Sequence, residues 1–445
     1  MKTFFKKIAN ALLCAAMLSG FTACSSDSHV PQGGVAVAID NSSCPDVAVE
    51  QIKLYVYDTS GDLVTTYDFD NAKAIASVLL PLEAGQYKMA AIVNADRTPA
   101  ETSTLTALHE WAVAESAADT DLISGVADAD VKEMSVTRVT IPCVRGSFSL
   151  PVLTVQLIPT ESGLADFTPE QTQARAAEAG YKLRCVAELR KAGTDVVVLH
   201  KEITPTLLPE GLYELQMQVC EGEYDMNLWA DYAVAEAPLA DKYYDTESLK
   251  AVKIITEPYV ANTDAKDTAY GNKSGISVPA QGAITVVELE RPLAKYRIIV
   301  DAEEIAEYQE LRRKNPNNFP AIEEMTVSIA YEGYFPSSFN ILTGKPNDAL
   351  LGISYSRSLA DFDSSAEELE LGSDWILVNG TSSFVNATVK ITDSKGKTVC
   401  STPGVQIDYR RNQLTTIKGK FLTSGVNNGG IRIDTEWDGE YEVWF

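Results

Sequence analysis

Short runs of alternating apolar and polar residues are the clearest pattern along the chain. In 51–58 (QIKLYVYD), Ile52, Leu54 and Val56 fall against Lys53, Tyr55 and Tyr57, which predicts a strand with one buried face. Thr59-Ser60-Gly61-Asp62 supplies turn chemistry, and 63–69 returns as a hairpin partner. A first strand is expected over 35–40, and others over 86–94, 182–189, 196–200, 213–220, 284–289, 296–300, 326–331, 385–393 and 414–421. Helical patterns are few. The best are 169–180 and 302–314, the second capped by Asp301 and stopped before Pro316. Many short strands with turn signals between them predict an all-β protein with minor helix, arranged as sandwiches.

An internal repeat organises these strands. Glu83-Ala84-Gly85-Gln86-Tyr87-Lys88-Met89 recurs as Glu221-Gly222-Glu223-Tyr224-Asp225-Met226, with Asn94 and Asp231 expected to end the strands that follow. Residues 139–150 also loosely match 287–300, aligning Arg145 with Arg291. The two offsets are close, which suggests two copies of one β-domain and a third segment after Arg291. In Gly-x-Tyr the glycine turns the chain into an edge, and the tyrosine is expected to lay its ring on the core with its hydroxyl in water.

The N-terminus changes the setting. Lys2, Lys6 and Lys7 precede an apolar run over 8–20, the layout of an export signal and shorter than the roughly 20 apolar residues that span a bilayer. The run ends in Phe21-Thr22-Ala23-Cys24-Ser25-Ser26, as in a bacterial lipobox, so cleavage before Cys24 and acylation of that cysteine are expected. The expected organisation is a signal over 1–23, a Ser/Gly/Pro-rich tether over 24–34, and sandwiches over 35–143, 144–290 and 291–445. The place expected is the outer membrane, reached through lipid alone and on the cell surface.

Charge and chemistry narrow the function. With 62 acidic against 37 basic residues, the net charge of -25 disfavours nucleic acid and anionic lipid surfaces as partners. Beyond Cys14 and Cys24, Cys44, Cys143, Cys185, Cys220 and Cys400 remain, an odd set in which Cys185 and Cys220 could bridge but are read first as buried thiols. His29, His109 and His200 are the only histidines, and no zinc, nucleophile-elbow or cofactor motif occurs, so no enzyme, metal or cofactor is expected. Glu303-Glu304, Glu323-Glu324 and Glu367-Glu368 read as solvated surface, and Asn262, Asp264 and Asp267 form the one dense oxygen cluster, a weak calcium candidate. Trp111, Trp229, Trp375, Trp437 and Trp444 are candidate sugar platforms, with core packing the commoner fate.

A family resemblance rests on 223–232 (EYDMNLWADY), Lys242-Tyr243-Tyr244-Asp245-Thr246, Arg291-Pro292-Leu293-Ala294-Lys295-Tyr296 and 409–423 (YRRNQLTTIKGKFLT). In this order they resemble the fimbrillin superfamily of Bacteroidetes-type surface lipoproteins, over roughly 181–445. The resemblance implies tandem transthyretin-like or Ig-like β-sandwich domains, no catalytic residues, and a role as a structural, anchor or accessory part of fimbriae with fimbrial subunits or other surface proteins as partners. Polymerising members resemble substrates of an Arg-directed protease that removes their first strand. Here no Arg occurs between Cys24 and Asp96, the first being Arg97, which favours an accessory role. The alternative is a glycan-binding lipoprotein. At the far end, 431–437 alternates, Asp438-Gly439 offers a turn and 440–445 alternates again, either closing the last sandwich or donating a strand to a partner.

Overall fold

The computed structural model describes residues 32–100, 102–118, 121–159, 180–209, 211–234, 240–423, 431–436 and 441–444. Strands dominate them, with three α-helices at Ala72–Ala76, Leu105–Ser116 and Ala302–Lys314, so the protein is all-β with minor helix. The expected signal, Cys24, most of the tether, the helix expected over 169–180 up to residue 179, and the turn Asp438-Gly439 lie outside the described residues. The chain divides into two compact units, Met1–Thr59 with Thr65–Ala95 and Asp121–Arg145, and Ser60–Val64 with Asp96–Thr120 and Gly146–Phe445.

The first unit is built on a seven-stranded sheet in the order Leu63–Phe69, Ile52–Asp58, Gly85–Val93, Ile123–Val131, Val136–Arg145, Gln32–Asp40, Leu80–Glu83. Val35, Leu54, Val56, Met89 and Ile141 meet in its core. The alternation of 51–58 marks two chemically distinct faces, yet both are covered: Tyr55 and Tyr57 are fully buried and their rings stack at 6.3 Å. One buried face was too few because an aromatic ring suits an interior as well as an aliphatic chain does. The first strand also starts earlier than expected, taking residues 32–34 of the tether into the sheet with Gln32 opposite Glu83. Gly33 permits this close approach, since a Cβ there would stand 2.5 Å from the Lys132 carbonyl oxygen. Asn94, with φ of 59°, ends the strand Gly85–Val93 as expected, its side chain bonding the backbone of Ala48, Glu50 and Gln51.

The second unit opens with a sandwich of two four-stranded sheets. One runs Val197–Ile203, Tyr181–Lys191, Gly222–Val234, Ala269–Val278; the other runs Thr206–Leu207, Tyr213–Gln218, Val152–Pro159, Ala283–Leu289. Leu153, Val155, Leu189, Met226 and Leu228 from both sheets share one core. The helix Leu105–Ser116, not anticipated from the sequence, belongs to this unit and is capped by Thr104, whose hydroxyl accepts from the Ala107 amide.

A further sandwich follows. Its five-stranded sheet runs Glu368–Leu377, Leu293–Asp301, Leu414–Gly419, Ile431–Glu436, Tyr441–Trp444, and its four-stranded sheet runs Ser354–Ser358, Thr326–Glu332, Ser382–Thr392, Thr398–Arg410. A small sheet of Tyr244–Asp245, Val252–Ile254, Phe335–Asn340 and Lys345–Leu350 shares its core. That core reaches back without a break to Val186 and Trp229 of the preceding sandwich, with Trp229 edge-on to Tyr244 at 5.2 Å.

The repeat read from the sequence has a topological counterpart. Gln32–Asp40 pairs in parallel with Val136–Arg145, Val152–Pro159 with Ala283–Leu289, and Leu293–Asp301 with Leu414–Gly419. All other strand pairings with a described register are antiparallel, so each parallel pair ties an opening strand to a late one. One repeat detail is corrected: Asp231 does not end a strand but sits inside Gly222–Val234, because Arg184 neutralises it in place.

Candidate functional site

Buried charge concentrates where the two sandwiches of the second unit meet. A single 3-10 turn, Asp264–Lys266, capped by the Thr263 hydroxyl, carries Lys266 into the interior. There Nζ meets Asp374 Oδ1 at 2.6 Å, and neither side chain is more than 1% exposed. The Trp375 amide donates to the same oxygen at 2.8 Å, and the Tyr331 hydroxyl donates to Oδ2 at 2.7 Å. Tyr259 bridges the pair, its hydroxyl donating to Asp374 Oδ2 and accepting from Lys266 Nζ at 3.1 Å. Tyr296 then lies 2.7 Å from Tyr331 and 2.9 Å from Tyr355, oxygen to oxygen. Burial, reinforced by the Asp374 charge, pushes Tyr259, Tyr296 and Tyr331 well above the usual phenol range, so all three remain protonated donors.

Two more ion clusters flank this one. Arg291 grips Asp267 with Nε at 2.8 Å and Nη2 at 2.9 Å, both side chains buried, and its Nη1 reaches Asn412. Arg184 holds Asp231 through Nε at 2.6 Å and Nη2 at 3.1 Å, and also binds Glu202 at 2.9 Å and Asp241. Burial raises the Asp231 carboxyl against the pull of Arg184, while burial draws the Arg184 guanidinium down but its carboxylates raise it further. Charges so placed cost several kcal/mol each to desolvate, and removing one partner strands the other. Their geometry fixes orientation rather than offering a reactive surface.

The expected site residues are dispersed. Asn262, Asp264 and Asp267 form no cage: Asp267 is spent on Arg291, Asp264 on Lys295 at 2.5 Å, and Asn262 on the Ser373 amide at 2.9 Å. Among the described residues no group of three or more His, Cys, Asp or Glu could hold a metal ion. Glu304 corrects the expectation of a solvated pair, being 1% exposed and accepting amide hydrogens from Phe421 at 3.1 Å, Leu422 at 2.7 Å and Thr423 at 2.8 Å. It lies on the inward face of the helix Ala302–Lys314, at a spacing that charge alone did not reveal. Cys185 and Cys220 are buried thiols and not a bridge, and Cys44, Cys143 and Cys400 are buried thiols too. Trp229 and Trp375 are buried, which removes them as sugar platforms; Trp111 is half-buried, and Trp437 and the Trp444 side chain lie outside the described residues. A cleft of about 190 Å³ is lined by His109, Glu110, Lys201 and Gln216, of which Glu110 and Lys201 are ion-paired to each other at 2.6 Å.

The chain's last two strands occupy a sheet edge. Ile431–Glu436 pairs antiparallel with Leu414–Gly419, and Tyr441–Trp444 pairs with Ile431–Glu436, placing Ile433 opposite Val443. The terminal segment therefore closes its own sheet. Among the described residues no helix is long and apolar enough to cross a membrane.

Solved structures similar to this chain include proteins named as adhesins, as fimbrial proteins and as polysaccharide-binding proteins, from Bacteroides, Parabacteroides and Porphyromonas. They include a candidate adhesin from Bacteroides ovatus (12% identity, TM-score 0.37, 66% of this chain and 96% of that one). The fimbrial anchor protein Mfa2 from Porphyromonas gingivalis aligns at 9% identity and TM-score 0.33, over 64% of this chain and 98% of that one. A fimbrial assembly protein from Parabacteroides distasonis aligns at 12% identity and TM-score 0.32, over 66% and 98%. At these values the likenesses carry no argument of their own. No curated protein matches the chain. A family profile does match, over residues 153–444 and so well over half of the length, and the chain belongs to that family, DUF6562, a family of unknown function.

Proposed function

We propose that this chain is a lipoprotein of the outer membrane, tethered at the cell surface through lipid on Cys24, that serves as a structural, anchor or accessory component of fimbriae. Its partners are fimbrial subunits or other surface proteins, and it performs no catalysis. The sandwiches of this reading span 35–143, 144–290 and 291–445. The observation that carries it is the joint of the second unit, where one unbroken apolar core and the Lys266–Asp374, Arg291–Asp267 and Arg184–Asp231 pairs bind two sandwiches into one block. A support that transmits load gains from such a joint, whereas a ligand-gated enzyme commonly needs a hinge. The fimbrillin resemblance of residues 181–445 supports the same role, and the fimbrial names of the similar solved structures agree with it. Burial of Trp229 and Trp375 takes two of the five candidate sugar platforms from the glycan reading.

The test has two parts. Cys24→Ala should abolish incorporation of labelled fatty acid and release the protein from the membrane fraction; persisting incorporation would refute the anchor. Surface proteolysis of whole cells, followed by pull-down, should recover fimbrial or other surface subunits with the wild type. Recovery of none would count against the assembly role.

A further inference from the structure

We propose that Lys266 and Asp374 condense after folding into an intramolecular isopeptide bond that locks the joint covalently. The inference stands apart from the anchoring role and needs no partner.

The two reacting groups already touch. Lys266 Nζ lies 2.6 Å from Asp374 Oδ1 in a pocket that neither side chain leaves for solvent. Its surroundings are aromatic: the ammonium sits 4.4 Å from the centre of the Tyr259 ring, and Tyr331 and Phe335 pack with ring centres 4.3 Å apart. An interior of this kind penalises two full charges and tolerates a neutral amide, whose N–H and C=O can still be hydrogen-bonded. Proximity supplies the rest, since fixing nucleophile and carboxyl in contact removes the entropic barrier to their encounter.

Tyr259 provides the path for protons, because its hydroxyl contacts both Nζ and Oδ2. A first proton moves from the ammonium through that hydroxyl to Oδ2, leaving a neutral amine and a carboxylic acid. The amine lone pair attacks Cγ, and the charge that develops on Oδ1 falls on the Trp375 amide N–H, 2.8 Å away. A second proton follows the same path to Oδ2, where the Tyr331 hydroxyl also donates. The Cγ–Oδ2 bond then breaks and water leaves, Oδ1 becomes the amide carbonyl, and the new Cγ–Nζ bond remains. One ammonium and one carboxylate yield one amide and one water, with no oxidant or cofactor. Because the residues stand 108 positions apart, the bond would close a large loop in the chain.

The deciding measurement is the intact mass of the denatured wild-type protein. The expected value is lower by one water than the mass calculated for the mature chain with its processing included, and a tryptic digest should contain a single branched peptide holding both Lys266 and Asp374. Lys266→Arg and Asp374→Ala should each show no such loss. Tyr259→Phe should lower the closed fraction at a fixed time after synthesis. A denatured wild type at the full calculated mass of the mature chain, with Lys266 open to acetylation, would overturn the proposal without recourse to any variant.

Discussion

The hydroxyl of Tyr224 donates to the carbonyl of Cys220, four residues upstream, at 2.8 Å. Tyr87 makes the same bond to Glu83 at 3.1 Å in the other unit. In both copies the ring folds back over the intervening glycine: a Cβ on Gly222 would stand 3.2 Å from the Tyr224 hydroxyl oxygen, and one on Gly85 would stand 3.5 Å from that of Tyr87. The recurring Gly-x-Tyr is thus a clasp on the turn that enters each strand. At Tyr224 the bond is buried, and the hydroxyl turns inward to the backbone instead of outward to water because the carbonyl beneath it needs a donor; the Tyr87 bond is exposed.

Tyr224→Phe should therefore cost about 1 kcal/mol through loss of that bond, and Tyr224→Ala about 3–5 kcal/mol through loss of the buried ring. Tyr87→Phe should cost less, since Tyr87 is half-exposed. Equilibrium denaturation measures all three. A Tyr224→Ala cost below about 1 kcal/mol would make the clasp decorative.

Arg291→Met should destabilise the second unit by about 3–5 kcal/mol, because Asp267 would be left charged and buried. Pairing it with Asp267→Leu should recover much of the loss, as both charges are then absent. A double variant no more stable than the single one would show that the pair is not an isolated electrostatic couple. The same urea titrations that report Tyr224 would settle this.

Glu304 gives a pH dependence of definite sign. Burial raises its carboxyl above the ordinary 4.5, against the opposing pull of the Thr423, Leu422 and Phe421 donors. The folded state then holds this proton more tightly than the unfolded chain, so the group's contribution is fully present below 4.5 and is lost as pH rises through the raised folded value. The stability of wild type minus that of Glu304→Gln should fall with pH over this window. A flat or rising difference would show that the amide donors outweigh burial.

Local pattern revealed the strands well where one face is polar. The helix Ala302–Lys314 matches its expected limits, since Asp301 caps it through the Glu304 amide and charged residues occupy its outer face. The helix Leu105–Ser116 was hidden because half of its buried set is polar, Thr106, His109 and Glu115 lying inside with Leu105, Leu108 and Ala112. The ion clusters could not be read at all. Lys266 and Asp374 are distant in sequence, and nothing around either distinguishes an interior charge from a surface one. The same blindness misplaced Glu304 and spread three oxygen-bearing residues into a supposed calcium loop.

Removing 440–445 should lower the melting temperature, because Tyr441–Trp444 is a paired strand of the chain's own five-stranded sheet. The lost backbone bonds contribute about 1 kcal/mol apiece. Thermal unfolding of the truncated chain checks this. An unchanged melting temperature together with loss of a copurifying partner would instead revive the segment as a donated strand.

The parallel pairing of early with late strands also sets the order in which the chain can fold as it is made. Val152–Pro159 waits for Ala283–Leu289, and after only three intervening residues Leu293 begins a strand that must await Leu414–Gly419. A chain synthesised from its N-terminus cannot complete a sandwich until nearly all of that sandwich has been made, so contacts between distant positions make closure late and stepwise. Each sandwich is then finished before the next can close, and the order of the modules along the chain becomes the order of their folding.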